Sequence, residues 1–173
     1  MTRVYVGPVS AYDLGQVGEL GLLEAFDGTA VVTDAVREAV DVEPAASNLA
    51  AFSEGRPGSE ADDEHRERAR AVLGSADAAT DDATASVLAG VFADRDPEDR
   101  TAVGVVAEDR RLRRLADGFR ATVTSSFGVV VRAAVEDRYL KRSHARRIVR
   151  RMDQHGLHTT GELRARAVGD LGE

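Results

Sequence analysis

The chain has 173 residues, no cysteine, and 30 acidic against 23 basic side chains, a formal net charge of −7. That length supports one domain with a substantial core. Disulfide scaffolds and thiolate zinc sites are excluded, and no apolar run of about 18 residues is present to span a membrane.

The N-terminal stretch MTRVYVGPVSAYD lacks the long apolar core and cleavage site of a signal peptide, so a soluble cytoplasmic protein is expected. Lys141 is the only lysine; the other 22 basic residues are arginine. With Ala, Val, Asp and Glu abundant, this composition suggests a halophilic, high-GC proteome, in which net charge reflects cytoplasmic salt more than partners. The distribution is more informative. Residues 1–100 carry −13 and residues 101–173 carry +6. A basic C-terminal part on an acidic chain points to an anionic partner or to a surface of interspersed ion pairs.

In chain order, the β-branched and aromatic run Arg3–Val6 predicts a strand ended by Gly7-Pro8. Leu14, Val17, Leu20, Leu23 and Phe26 then fall near helical spacing, predicting a helix from about Ser10 to Phe26, with Gly15, Gly18 and Gly21 weakening it. Thr29–Val32 reads as a second strand, followed by a short helix, AVREAV, capped by Thr33 or Asp34. Residues 42–79 are Ala-rich and polar and read as a variable helical insertion or a charged linker. Within it, Ser59 and Asp62 have capping-box spacing before a charged, solvated helix to Leu73.

Thr80 or Asp81 caps the next helix, ATASVLAGVFA. The continuous apolar run Thr101–Val106 marks a strand covered on both faces. Glu108-Asp109, the helix RRLRRLA, the strand ATVT and a helix capped by Ser125-Ser126 follow. Two helices close the chain, Arg142–Gln154 and one opened by Thr159 and Glu162. Strands alternating with helices predict a three-layer α/β sandwich, with a central parallel sheet of four or five short strands and helices on both faces. Its site lies at the carboxyl ends of the strands, where this sequence offers Thr33-Asp34, Glu108-Asp109 and Ser125-Ser126.

Acids at strand ends suggest a divalent-metal site, since Mg²⁺ and Mn²⁺ favour carboxylate oxygens. Glu108-Asp109 is the best pair; the alternative is that acids favour the first turn of any helix. No P-loop, dinucleotide fingerprint or Gly-x-Ser-x-Gly elbow occurs. His155 and His158 share a short turn without a clear partner ligand. Arg142, Arg146 and Arg150 recur at i, i+4 and i+8, a stripe able to track phosphates or to pair with the acidic middle segment.

The stretch VVAEDRRLRRLADGFRATVTSSFGVVVRAA resembles the prokaryotic PIN-like subgroup related to VapC-type toxins. There a Leu-Leu-Ile-Asp-Asp-Arg-Arg run precedes Val-Thr-Gly-Thr-Leu-Gly-Val-Leu. VYVGPVSAYDLGQVGELGLLEAF and TAVVTDAVREAV are similar to that subgroup's first and second strand–helix units. The resemblance covers most of the chain and implies a single PIN-like domain over 1–173, with 42–79 as its insertion and 141–173 as its C-terminal helices. It also implies an Mg²⁺- or Mn²⁺-dependent ribonuclease ancestry.

The four acidic positions carry over unevenly. The first falls on Gly7; the second falls on Ala39, with Glu38 one residue short. The third falls on Asp82 or Asp81, and the last on Asp109 with Glu108 beside it. The hydroxyl after the final strand falls on Ser126, and Arg110 joins the basic stripe as an RNA-contact candidate. Asp13 lies well along the first helix and is not an obvious replacement for the acid lost at Gly7. Beside a purely structural or oligomerisation module, the resemblance leaves two main expectations. One is a catalytically impaired PIN-like protein that binds RNA or a partner protein. The other is an active endoribonuclease toxin that recruits Glu38, Glu108 or Asp13. The partners implied are RNA, an antitoxin-like protein and a second copy in a homodimer, with no membrane.

Overall fold

The computed structural model describes residues 2–59, 61–74, 78–95, 102–136 and 140–155, with the backbone alone at 78–81. Four parallel strands, β1 (Arg3–Val6), β2 (Thr29–Val31), β3 (Val103–Val106) and β4 (Thr122–Thr124), form one sheet in the order β2-β1-β3-β4. Tyr5 pairs in register with Val31 on one side and Val105 on the other, and Val105 with Val123. The helices are α1 (Pro8–Val17), α2 (Asp34–Ala39), α3 (Ala45–Ser53), α4 (Asp63–Leu73), α5 (Ala78–Ala93), α6 (Arg110–Gly118), α7 (Ser126–Val135) and α8 (Arg142–Gln154). The architecture is the three-layer α/β sandwich.

Handedness distributes the layers. The chain steps from β1 to β2 on one side, then across to β3 and on to β4 on the other. Right-handed crossovers therefore put α1 on one face and α5 and α6 on the opposite one. Packing agrees: α1 meets α7 and α8, and α5 meets β1 and α6. Gly90 lets α5 lie directly against β1, since a Cβ there would overlap the ring of Tyr5. The Tyr5 hydroxyl donates to Asp94 Oδ2 at 2.6 Å, and Arg3 Nη1 reaches Asp94 Oδ1 at 3.2 Å. Burial, then the Asp94 carboxylate, pushes the Tyr5 hydroxyl above its ordinary pKa, so it stays a donor. Phe92 and Phe119 meet edge to face at 4.7 Å, joining the end of α5 to that of α6.

Three elements depart from the sequence reading. The helix expected to reach Phe26 stops at Val17; Gly18 adopts a left-handed φ of 73°, and a 3-10 helix, Leu20–Ala25, replaces the remainder. The bonds Gly18 N–H to Gly15 O and Glu19 N–H to Leu14 O close the first helix in the manner that glycine permits. Residues 45–53 form α3, a helix of the insertion with no separate signal in the sequence, which buries Ala45 and Leu49 against α1. In α4, Asp62 rather than Ser59 is the cap, accepting from His65 N–H at 2.9 Å. That helix is anchored by buried Ala69 and Leu73 and packs on α5. The helix expected after Thr159 lies outside the described residues. Among the described residues no helix is long and apolar enough to cross a membrane.

Candidate functional site: a closed polar crevice at the strand ends

The chain direction reverses between β1 and β3, so the crevice at their carboxyl ends is where an open parallel sheet binds ligands. Gly7 stands at its centre. Its N–H donates to Val106 O at 2.8 Å, and its carbonyl accepts from Ala11 N–H at 2.9 Å. Its φ of −73° and ψ of 158° are extended values open to any residue. What presses on this position is the chain leaving β3: a Cβ at Gly7 would lie 3.3 Å from Val106 O and 3.4 Å from Ala107 Cβ.

Two residues past the end of β3, Glu108 turns into the crevice. Its Oε1 accepts from Ser126 N–H at 2.6 Å, from Ser126 Oγ at 2.6 Å and from Ser10 Oγ at 3.3 Å. Ser126 opens α7 and is fully buried, while Ser125 caps that helix by accepting from Gly128 N–H at 3.1 Å. The Glu108 carboxylate therefore occupies the positive end of α7, as a bound anion would. Its other oxygen, Oε2, is buried with no hydrogen-bond partner among the described residues.

Asp13 completes the cluster. It lies on α1, is 2% exposed, and brings Oδ2 within 3.5 Å of Ser126 Oγ. Burial first, and the Glu108 charge second, raise its pKa from the ordinary 3.8 to about 8, opposed by the contact with Ser126. At neutral pH the Asp13 carboxyl is therefore mostly protonated. Ser126 has one hydroxyl hydrogen, and the 2.6 Å separation assigns it to Glu108. Asp13 Oδ2 is the more distant acceptor of the same hydroxyl, at 3.5 Å, so the two carboxyls converge on Ser126 Oγ. This corrects the expectation for Asp13: although well along the first helix, it reaches the crevice. The signal was present, since Ser10, Asp13, Leu14 and Val17 share the buried stripe of α1.

The other candidates are dispersed. Asp109 is exposed and caps α6, accepting from Leu112 N–H at 2.6 Å. Asp82 is exposed and held by Arg70 at 3.0 Å, beside a smaller cavity lined by Thr33 and Ser86. The side chain of Asp81 lies outside the described ones. Glu38 is exposed on α2, and Thr33 caps that helix while bonding Ser86 Oγ at 2.6 Å.

Arg142 and Arg150 are exposed and Arg146 half-buried on α8, whose opposite side buries Ala145, Ile148, Val149 and Met152. Arg110 is exposed at the start of α6. Among the described residues no three His, Asp or Glu side chains are grouped so as to hold a metal ion. Among the described carboxylates only Asp13 and Glu108 converge, through their shared contact with Ser126 Oγ. Glu108 Oε1 already takes three donors, and Asp109 serves its helix.

No protein-family model, no curated protein and no solved structure matches the chain.

Proposed function

We propose that this chain is a PIN-like protein of ribonuclease ancestry whose cleavage crevice is closed, and which acts by binding RNA or a partner protein. The observation that carries this reading is the Glu108 carboxylate, tied to Ser126 N–H, Ser126 Oγ and Ser10 Oγ, with Gly7 opposite it in place of an acid. A phosphodiester at this point would meet a side chain already bonded to its own protein. The basic face of α8 supplies the surface for a phosphate backbone. Arg142, Arg146 and Arg150 lie on the side away from the core.

A second reading has one observation in its favour. Asp13 and Glu108 converge on a single hydroxyl, and Glu108 Oε2 has no partner among the described residues. These two acids are where an active Mg²⁺- or Mn²⁺-dependent endoribonuclease, of the kind found as toxins, would recruit its metal.

Incubation of the purified protein with single-stranded and structured RNA, with Mn²⁺ or EDTA, at moderate and high salt, separates the two. The first reading expects binding without cleavage. It expects affinity to fall by about tenfold or more in Arg146→Glu/Arg150→Glu, as lost phosphate contacts do. Gly7→Asp, allowed by the backbone angles once the chain leaving β3 yields a few tenths of an ångström, is expected to gain Mn²⁺-dependent cleavage. Wild-type cleavage abolished by EDTA and by Glu108→Gln would overturn the first reading and establish the second.

A further inference from the structure

A cavity of about 610 Å³ lies between the sheet and α7, on the side of the edge strand β4. It is distinct from the polar crevice. Its floor is Val4 and Gly104, and its walls include Phe26, Phe127 and Val131. Gly104 gives the floor its depth, because a side chain there would rise beside Val4 Cγ2, whose nearest approach to a Cβ is 3.3 Å. The volume is in the range of small-molecule sites, and the lining sets apolar side chains beside polar and charged ones.

The polar groups specify the charge. Arg113 lines the cavity and is half-buried, and its guanidinium has no ion pair or hydrogen bond among the described residues. Thr122 and Thr124 join it, standing in register with Gly104 and Val106 on the same face of the sheet. On the Phe26 side the charges are already compensated: Arg132 stacks on Phe26 at 4.8 Å, and its Nε lies 3.7 Å from Glu136 Oε2. Asp27 there is exposed to water. A half-buried guanidinium without a counter-charge, beside two hydroxyls and an apolar wall, complements one anionic group carrying an apolar body.

We infer that this cavity binds a small organic monoanion, a carboxylate or sulfonate with an aromatic or branched apolar body, its charge on Arg113 and its body against Phe127 and Val131. The inference is independent of the RNA reading.

The test uses the full chain and the fluorescent aromatic sulfonate 1-anilinonaphthalene-8-sulfonate. The expected result is saturable binding of one probe per chain, weakened about tenfold by Arg113→Gln, the loss of one charge-assisted contact. Binding is expected to be abolished by Gly104→Leu. Because Gly104→Leu alters a central strand, Val131→Phe, on the half-exposed rim, serves as the second cavity-filling variant and is expected to abolish binding with the fold intact by circular dichroism. Phenylacetate at millimolar concentration is expected to displace the probe, and inorganic phosphate is not. Absence of saturable binding, binding unaffected by Arg113→Gln and Val131→Phe, or equal displacement by phosphate would overturn the inference.

Discussion

Helix α7 borders two concavities of opposite character. At its first residue the crevice between β1 and β3 gathers two carboxyls and two serines, and they bond to one another. Along its length the cavity beside β4 has an apolar floor and one arginine with no counter-charge among the described residues. The first has polar groups bonded to one another; the second has a cavity whose polar groups face open space. Position at a topological switch therefore does not by itself make a site. What matters is whether its polar groups are satisfied by a ligand or by the protein.

Three measurements would sharpen or break this contrast. Glu108→Ala should have the largest effect, leaving a helix N–H and two hydroxyls without their acceptor in a buried site. A loss of about 3 kcal/mol in urea denaturation is expected. A loss below roughly 1 kcal/mol would mean that water reaches the crevice freely and that it is no more closed than the cavity.

Asp13→Asn should have an intermediate effect whose size depends on pH. The native state holds a proton on Asp13 between about 4 and 8, where the unfolded chain does not. The contribution of Asp13 to stability is thus fully present below pH 4 and is lost as pH rises to about 8. Relative to wild type, the asparagine variant should be near neutral at pH 4 and more stable by about 1–3 kcal/mol at pH 8. Denaturation at pH 4, 6 and 8 checks the trend; a constant difference would show that Asp13 does not titrate in this window.

Thr122→Val, on the exposed edge strand over the cavity, should change stability by less than about 0.5 kcal/mol. A larger loss would place Thr122 in a structural bond rather than on a free wall.

The sheet is legible because its strands are β-branched runs bounded by Gly7, Asp27-Gly28 and acidic turns. Helix α3 is not. AASNLAAFS has weak amphipathicity, and its burial depends on α1 presenting Gly15, where a Cβ would lie 3.2 Å from Ala45. That contact between distant segments leaves no local pattern.

The candidate site divides in the same way. Ser126 was found from its place after the last strand, and Glu108 as one of an acidic pair. Their order of importance came out reversed: Asp109, directly before the helix, serves its backbone, while Glu108, one residue earlier, reaches the crevice. An aspartate just ahead of a helix is first a cap. Asp13 is hard to place from sequence because its distance along the helix says less than the buried face it shares with Ser10, Leu14 and Val17.

The bond from Ser126 N–H to Glu108 has a spectroscopic consequence. An amide at the first position of a helix ordinarily faces solvent and exchanges its hydrogen within the dead time of a measurement. Here it is fully buried and points at a carboxylate oxygen 2.6 Å away. In a proton–nitrogen correlation spectrum its resonance should lie downfield of other helix-start amides and persist in deuterated water. That one signal reports on the crevice. A cation or phosphate that drew Glu108 away would move it, whereas a ligand confined to the cavity beside β4 would leave it in place.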